Sequence, residues 1–396
     1  MNIQDTIWWQ VYPLGFTGAE QTSGTVVHRL GRLDNWLDYA LELGCSGLLL
    51  GPIFASETHG YDTVDHFRID PRLGDDADFD RLVAQAKERG LRIALDGVFN
   101  HVARSFDAPP EWFRRRADGS LDTFEGHDQL VALDHGQPAV AENVRKVLAH
   151  WLGRGVDAWR LDVAYAVPPE FWRAVVPREE FPEAWFFGEV IHGDYAGYVE
   201  ASGLDSVTQY ELWKAIWSSL NDGNFYELAH ALERHDALLD TFVPQTFVGN
   251  HDVTRIATRL DDERHLGHAL AILFAVGGVP SVYYGDEQAF RGLKEDRIGG
   301  DDAIRPEFPE TPAELAPDGW PTYRLHQRLI DVRRRHPWLT RGRTTIEHLT
   351  NETIALRTTG DGAHVRLLLN ISDEAQSFPD EPDPVPAHEW RLLTSP

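Results

Sequence analysis

With 396 residues, 42% of them hydrophobic and 25% charged, the chain has material for one large packed domain and a small one. Its formal net charge of −26 opposes phosphate backbones and anionic lipid heads, so neither nucleic acid nor a membrane is expected as a partner; a small neutral molecule is compatible. One cysteine, Cys45, excludes an intrachain disulfide, and no stretch approaches the roughly 18 consecutive apolar residues of a membrane span.

Short apolar runs alternate with stretches carrying apolar residues at helical spacing. The first strand candidate is Ile7–Val11, with no basic-then-apolar leader before it, which reads as a cytoplasmic protein. Gly47–Gly51 is the second. Phe79, Leu82, Val83 and Ala86 fall on one helix face, and Glu88-Arg89-Gly90 supplies the stop before the third strand, Arg92–Asp96. After Asn100-His101 a polar stretch containing Gly and Pro runs to about Gly136. It is too long for a plain connection and reads as a small excursion over residues 101–136. Val140, Val144, Val147, Leu148, Trp151 and Leu152 then mark a second amphipathic helix, closed by Gly153-Arg154-Gly155. Strands four to eight are read at Val156–Asp162, Trp185–Val190, Ser206–Tyr210, Thr246–Asn250 and Ser281–Gly285.

Eight strands each followed by a helix, at about 30 residues per unit, predict an α/β fold, a (β/α)₈ TIM barrel over residues 1–100 and 137–340. A doubly wound open sheet shares that alternation and is the structural alternative. Beyond the helix at Thr322–Arg335 the period shortens to alternating runs, Thr345–Leu349, Thr353–Thr358, His364–Leu369 and Trp390–Leu393. These predict a small antiparallel β domain over residues 341–396.

Barrel active sites lie past the C-terminal ends of the strands. There the third strand ends on Asp96, the fourth on Asp162 and the fifth at Glu189, while the seventh runs into Asp252. Asp162 and Glu189 are 27 positions apart, about one unit, and Glu189 and Asp252 are 63 apart, about two. Carboxylates on adjacent strand ends fall near the ~5–5.5 Å that a retaining glycosidase requires. A single Asp at a strand end is more often a helix cap or loop ion pair; four converging acids are not explained that way. Arg160 precedes Asp162 by two residues and shares its inward face, where it is expected to hold Asp162 ionised. Glu189 has an apolar approach, Trp185-Phe186-Phe187, which favours its protonated form. His101 and His251 can donate hydrogen bonds to hydroxyls of a sugar.

Together these segments resemble those of the α-amylase family, glycoside hydrolase family 13. The likeness rests on Asp96-Gly97-Val98-Phe99-Asn100-His101, Val156–Ala164, Gly188-Glu189-Val190 and Phe247–Asp252, with support from Trp8–Pro13, His59–Thr63 and Tyr283–Glu287. It runs in order from about residue 7 to about residue 340. The resemblance implies a double displacement with Asp162 as nucleophile, Glu189 as general acid/base and Asp252 as the third carboxylate. His101, His251 and Arg160 would orient the sugar, Tyr61 would stack against it and Asp62 would bond its hydroxyls. The Asp301–Pro306 stretch would bring Arg305 toward Asp62.

The nucleophile segment and His59–Thr63 are most similar to neopullulanases and cyclomaltodextrinases, although this chain has no room for the extra N-terminal domain that such relatives usually carry. The implied activity is hydrolysis of α-1,4 bonds in short linear or cyclic maltosaccharides, including rings of mixed α-1,4 and α-1,6 linkage. A transglycosylase or exo-acting α-glucosidase on the same scaffold is the alternative, and an inactive sugar-binding subunit a remote one. Tyr165-Ala166 replaces the Lys-His pair that follows the nucleophile in many amylases, and Thr17–Gly24 lacks an oxygen-rich calcium loop. No cofactor and no metal are therefore expected to be required, and activity should survive exhaustive chelation. The expected partner is a small oligosaccharide, with homodimerisation left open.

Overall fold

The computed structural model describes residues 2–22, 24–297 and 299–395. Eight parallel strands form the barrel wall: β1 (Trp8–Val11), β2 (Gly47–Leu50), β3 (Arg92–Gly97), β4 (Ala158–Leu161), β5 (Trp185–Gly188), β6 (Ser206–Val207), β7 (Gln245–Thr246) and β8 (Val279–Tyr283). They pair in the order β6-β5-β4-β3-β2-β1-β8-β7. The two ends meet through a parallel bridge between Thr208 and Gln245, reinforced by a 2.9 Å bond from the Gln209 N–H to the Gln245 carbonyl. The sheet thus closes on itself as a barrel, as the alternation predicted, and the open doubly wound sheet is excluded.

Side chains alternate across each strand. Trp9, Val11, Leu48 and Leu50 face the surrounding helices and belong to the main core. Trp8, Leu49, Ala94, Ala158, Trp185, Phe187 and Val279 fill the barrel interior as a second cluster. Trp8 stacks on Trp185 with 6.2 Å between centroids, and Trp185 on Phe187 with 4.5 Å. Ala94 and Ala158 leave the space that these rings occupy, the large-against-small packing by which barrels fill their centre. Next along the same inward faces come Asp96 on β3 and Arg160 on β4, so the apolar plug forms the floor of a polar chamber.

Each strand's bounds shift against the sequence reading, the sixth ending at Val207 and not at Tyr210, and at two strands the shift has a visible cause. The seventh strand is Gln245–Thr246, not Thr246–Asn250. At Gly249 the backbone passes so close to Asp286 that a Cβ would lie 2.0 Å from its Oδ2, and the chain has already left the ladder. The eighth begins at Val279, with Pro280 inside it opposite Thr246. That Pro is tolerated because the neighbouring β7 is only two residues long and demands little of the ladder.

Connections at the C-terminal ends of the strands build the mouth. After β2, a hairpin of Phe54–Ser56 and Thr63–Ile69 carries His59, Tyr61 and Asp62 at its tip. The buried Asp70–Arg72 pair (2.7 Å) braces it: Asp70 accepts from the Ser56 N–H and hydroxyl, while Arg72 donates to the carbonyls of Thr58, Glu20 and Gln21. After β3, His101–Ala103 pairs antiparallel with Leu130–Ala132 and encloses the excursion. Beyond the helix Trp320–Arg335, four antiparallel strands, β9 (Arg343–Leu349), β10 (Thr353–Gly360), β11 (Ala363–Asn370) and β12 (Trp390–Thr394), form a separate sheet in sequential order. Among the described residues, no helix is long and apolar enough to cross a membrane.

Just past β8 lies Glu287, fully buried, accepting from the Tyr39 hydroxyl (2.9 Å) and the Gly285 N–H (2.9 Å). Burial pushes its carboxyl from the ordinary 4.5 to about 7. A carboxyl raised in the folded state contributes stability that is complete below its unfolded value and is lost as pH rises through about 7. Glu287→Gln keeps the shape and cannot ionise, so its unfolding free energy should fall less than the wild type's between pH 6 and pH 9. Urea denaturation across that range reads the difference, and identical slopes would refute the assignment.

Candidate active site

Arg160 stands at the centre of the chamber with its side chain 3% exposed. Its Nη1 donates to both oxygens of Asp96 (2.8 and 2.7 Å) and to Asp162 Oδ1 (3.1 Å). Its Nη2 pairs with Glu189 Oε1 (2.9 Å) and lies 3.7 Å from Asp252 Oδ2. Strands β3, β4 and β5 and the segment after β7 therefore bring four acids, Asp96, Asp162, Glu189 and Asp252, around a single cation.

Beside these charges the backbone takes an unusual path. Val163, immediately after Asp162, has φ +49° and ψ 35°, the left-handed region that a β-branched residue rarely enters. In that conformation its N–H donates to Glu189 Oε2 (3.0 Å), while the Tyr210 hydroxyl donates to Oε1 (3.1 Å). Asn250 Nδ2 in turn donates to the Tyr210 oxygen (2.9 Å), and Asn250 Oδ1 accepts from the Asp252 N–H (2.8 Å). One amide side chain thus ties the Glu189 and Asp252 positions together.

His251 is oriented from both sides. Gln10 Nε2 donates to its Nδ1 (3.0 Å), leaving Nε2 as the protonated nitrogen that meets Asp252 Oδ2 (2.9 Å) and the Tyr61 hydroxyl. Its ring lies parallel to that of Tyr61, 5.4 Å away, and the Tyr61 hydroxyl also donates to Asp96 (3.0 Å). His101 stacks on Phe124 of the excursion at 4.6 Å and accepts from Asn100 at Nδ1 (3.1 Å). Burial lowers its pKa to about 4, so it is a neutral imidazole at ordinary pH.

Two expectations are corrected here. Arg305 does not pair with Asp62. Its Nη2 binds Asp252 (3.0 Å) and Asp301 (3.0 Å), its Nε donates to the His251 carbonyl (2.9 Å), and its guanidinium covers the Tyr12 ring at 4.7 Å. Asp62 is satisfied within its own turn by the Thr58 hydroxyl (2.5 Å) and the His59 N–H (3.2 Å). Nor does the pull of Arg160 prevail at Asp162, since the guanidinium is shared with Asp96 and Glu189. Burial, and then the charge of Glu189, raise the Asp162 carboxyl well above the usual range against the pull of Arg160. Asp252 is the opposite case: burial alone would raise it, but His251, Arg305 and Arg160 outweigh burial and hold it well below the usual range.

A cavity of about 660 Å³ opens beside Tyr61, lined by Tyr12, His59, Asp301 and Arg305 among others. That is the size of a small-ligand pocket. Tyr210, Gln10, Tyr12 and Asp301 take part in the site without having been singled out from sequence. Their one signal was position: Tyr210 closes the run read as strand six, and Gln10 and Tyr12 lie in and just past β1. Tyr210 serves as a positioning residue for Glu189. Tyr210→Phe should lower kcat about tenfold, the equivalent of about 1.4 kcal/mol, with KM and thermal stability little changed. Steady-state kinetics at several pH values check it, and an undiminished kcat would remove Tyr210 from the site.

The architecture has counterparts in known proteins. The family described as the alpha amylase catalytic domain matches residues 10–125 and 121–315. A cyclomaltodextrinase from Bacillus sp is 30% identical over 406 residues, spanning 88% of this chain and 69% of that protein. Neopullulanase 2 of Thermoactinomyces vulgaris is 31% identical over 378 residues, spanning 86% and 62%. Among solved structures, the ligand-free cyclic alpha-maltosyl-(1→6)-maltose hydrolase from Arthrobacter globiformis superposes with a TM-score of 0.84 at 25% identity, covering 99% of this chain and 98% of that one. The chain belongs to the alpha-amylase family of glycoside hydrolases.

Proposed function

We propose that the chain is a retaining α-glucan hydrolase acting on α-1,4 bonds of short linear and cyclic maltosaccharides, rings of mixed α-1,4 and α-1,6 linkage included. The observation that carries the mechanism is the grip of one guanidinium on two carboxylates: Arg160 holds Asp162 at 3.1 Å through Nη1 and Glu189 at 2.9 Å through Nη2. Two acids held by the two ends of one planar group stay within a separation of the ~5–5.5 Å order that double displacement needs.

In the first half-reaction Asp162 attacks the anomeric carbon while Glu189 gives its proton to the departing glycosidic oxygen. In the second, Glu189 takes a proton from water, the hydroxide so generated attacks the same carbon, and Asp162 leaves. The Glu189 charge is the foremost electrostatic influence raising Asp162, so a proton on Glu189 removes that influence and lets Asp162 ionise against Arg160. Asp252, ionised and 26% exposed, is suited to accept hydrogen bonds from two sugar hydroxyls. His101, His251, Arg305 and Asp62 would ring the same sugar, with Tyr61 as its stacking face. The substrate class draws on the names of the Bacillus and Arthrobacter relatives and on the cavity beside Tyr61.

Glu189→Gln retains the outline of the side chain and lacks the proton. It should lower kcat by about 10²–10⁴ on maltotriose, cyclodextrins and a mixed-linkage cyclic tetrasaccharide. Proton NMR of the wild-type reaction should show the α-anomer of the new reducing end first. Full turnover by the variant, or a β-anomer, would overturn the mechanism. Products longer than the substrate would assign the chain to glycosyl transfer instead, and inability to open the rings would point to an exo-acting α-glucosidase.

A further inference from the structure

The barrel meets the C-terminal sheet at a cluster that glycosidic chemistry does not use. Asp262 caps the short turn Glu263–His265, which leads into the helix Leu266–Ala275; His388 stands on the turn that enters β12. His265 Nε2 and His388 Nδ1 are hydrogen-bonded nearly end-on at 3.1 Å, their rings 5.3 Å apart, so an ion would take the place of the proton between them. Together with a carboxylate oxygen of Asp262, the ligand atoms of all three residues lie within 4.8 Å of one another. We propose that Asp262, His265 and His388 bind a divalent transition ion of the zinc type, which clasps the C-terminal sheet to the barrel.

The geometry suits such an ion. Two imidazole nitrogens 3.1 Å apart can each lie at the ~2.0–2.1 Å of a zinc–nitrogen bond, with an angle of about 100° between them. The supporting contacts point the same way. His388 Nε2 bonds to Asp373 Oδ1 at 2.8 Å, the carboxylate–histidine arrangement that fixes a ligating tautomer and leaves Nδ1 with its lone pair inward. His388 also sits at φ +55°, in the left-handed region, so its ring is presented by a strained turn and not by a relaxed loop.

Neighbouring contacts hold both halves in place before any ion binds. His268, one turn further along the helix, bonds through Nε2 to the carbonyls of Asn370 (3.1 Å) and Glu389 (3.2 Å). Asn370 Nδ2 fastens the same segment through the carbonyls of Val385 and Pro386. Helix and strand approach so closely that a Cβ on Gly267 would lie 2.6 Å from the Trp390 indole nitrogen.

Arg264 is the opposing charge. It grips Asp262 through Nε and Nη2 at 2.6–3.0 Å, yet a carboxylate has four lone-pair sites and can serve both. With two imidazoles and one carboxylate the donor set favours zinc, nickel or copper over calcium or magnesium, and water completes the tetrahedron. The site is structural, so it is compatible with glycosidic turnover that needs no metal.

The test uses the tag-free full chain, stripped by a chelator that is then dialysed away and titrated with zinc chloride by calorimetry and thermal melting. One zinc per chain is expected, with a midpoint raised by about 3 °C or more at saturation, and no shift with magnesium or calcium. Binding should be lost in His388→Asn, where asparagine tolerates the left-handed backbone, and in His265→Gln, with maltotriose turnover of both within about twofold of wild type. Absence of stoichiometric zinc binding by the wild type overturns the proposal, whatever the variants do. Zinc binding that survives in both variants overturns the residue assignment.

Discussion

The active chamber depends on a single buried guanidinium. Arg160 sits on an apolar floor of Trp8, Trp185, Phe187 and two alanines, and faces four carboxylates that would otherwise repel one another in a medium of low dielectric. One positive charge does not neutralise four acids, and the mismatch is useful. Asp252 remains ionised because Arg305 adds a charge and His251 a hydrogen bond, while burial and the Glu189 charge raise the Asp162 carboxyl. The reaction asks for Glu189 protonated and Asp162 charged, the state that the pull of Arg160 favours once the Glu189 charge is gone.

Most of the polar side chains around that centre are oriented by others. Gln10 sets the tautomer of His251, Asn250 links the backbone of Asp252 to Tyr210, and Tyr210 holds Glu189. The catalytic acids lie on or just past short parallel strands, and the residues that restrain them come from other strands and loops. Precision is therefore distributed around the barrel, and rigid elements carry it better than a single loop could.

The barrel, its eight strands and the acid positions were legible in sequence because each depends on local pattern: an apolar run, a helical repeat, a polar residue just past the run. Asp162, Glu189, Asp252, Arg160 and His251 come together in one chamber, whereas His101 meets Phe124 and Asn100 instead. Partnerships across the barrel were not legible. Nothing near Arg305 reveals that it turns to Asp252 and leaves Asp62 to Thr58, since the choice follows from how the 301–306 segment folds over the mouth. The short reach of β7 was hidden too, because Phe247-Val248 is as apolar as a strand and only the close approach of Gly249 to Asp286 shows why the ladder ends. Likewise Asp96 reads from sequence as one acid among four, yet it receives the larger share of Arg160's hydrogen bonds.

Val163 has a consequence for how such an enzyme changes over generations. A β-branched residue held left-handed is a place where the fold carries a local cost, of the order of 1–3 kcal/mol for such backbones. Selection for thermal tolerance alone would favour a glycine there, since glycine occupies that region freely. Val163 is packed almost completely, only 6% exposed, so the exchange would leave a void next to the backbone whose N–H now reaches the Glu189 carboxylate. Robustness and alignment are thus set against each other at one position, and this chain has kept alignment.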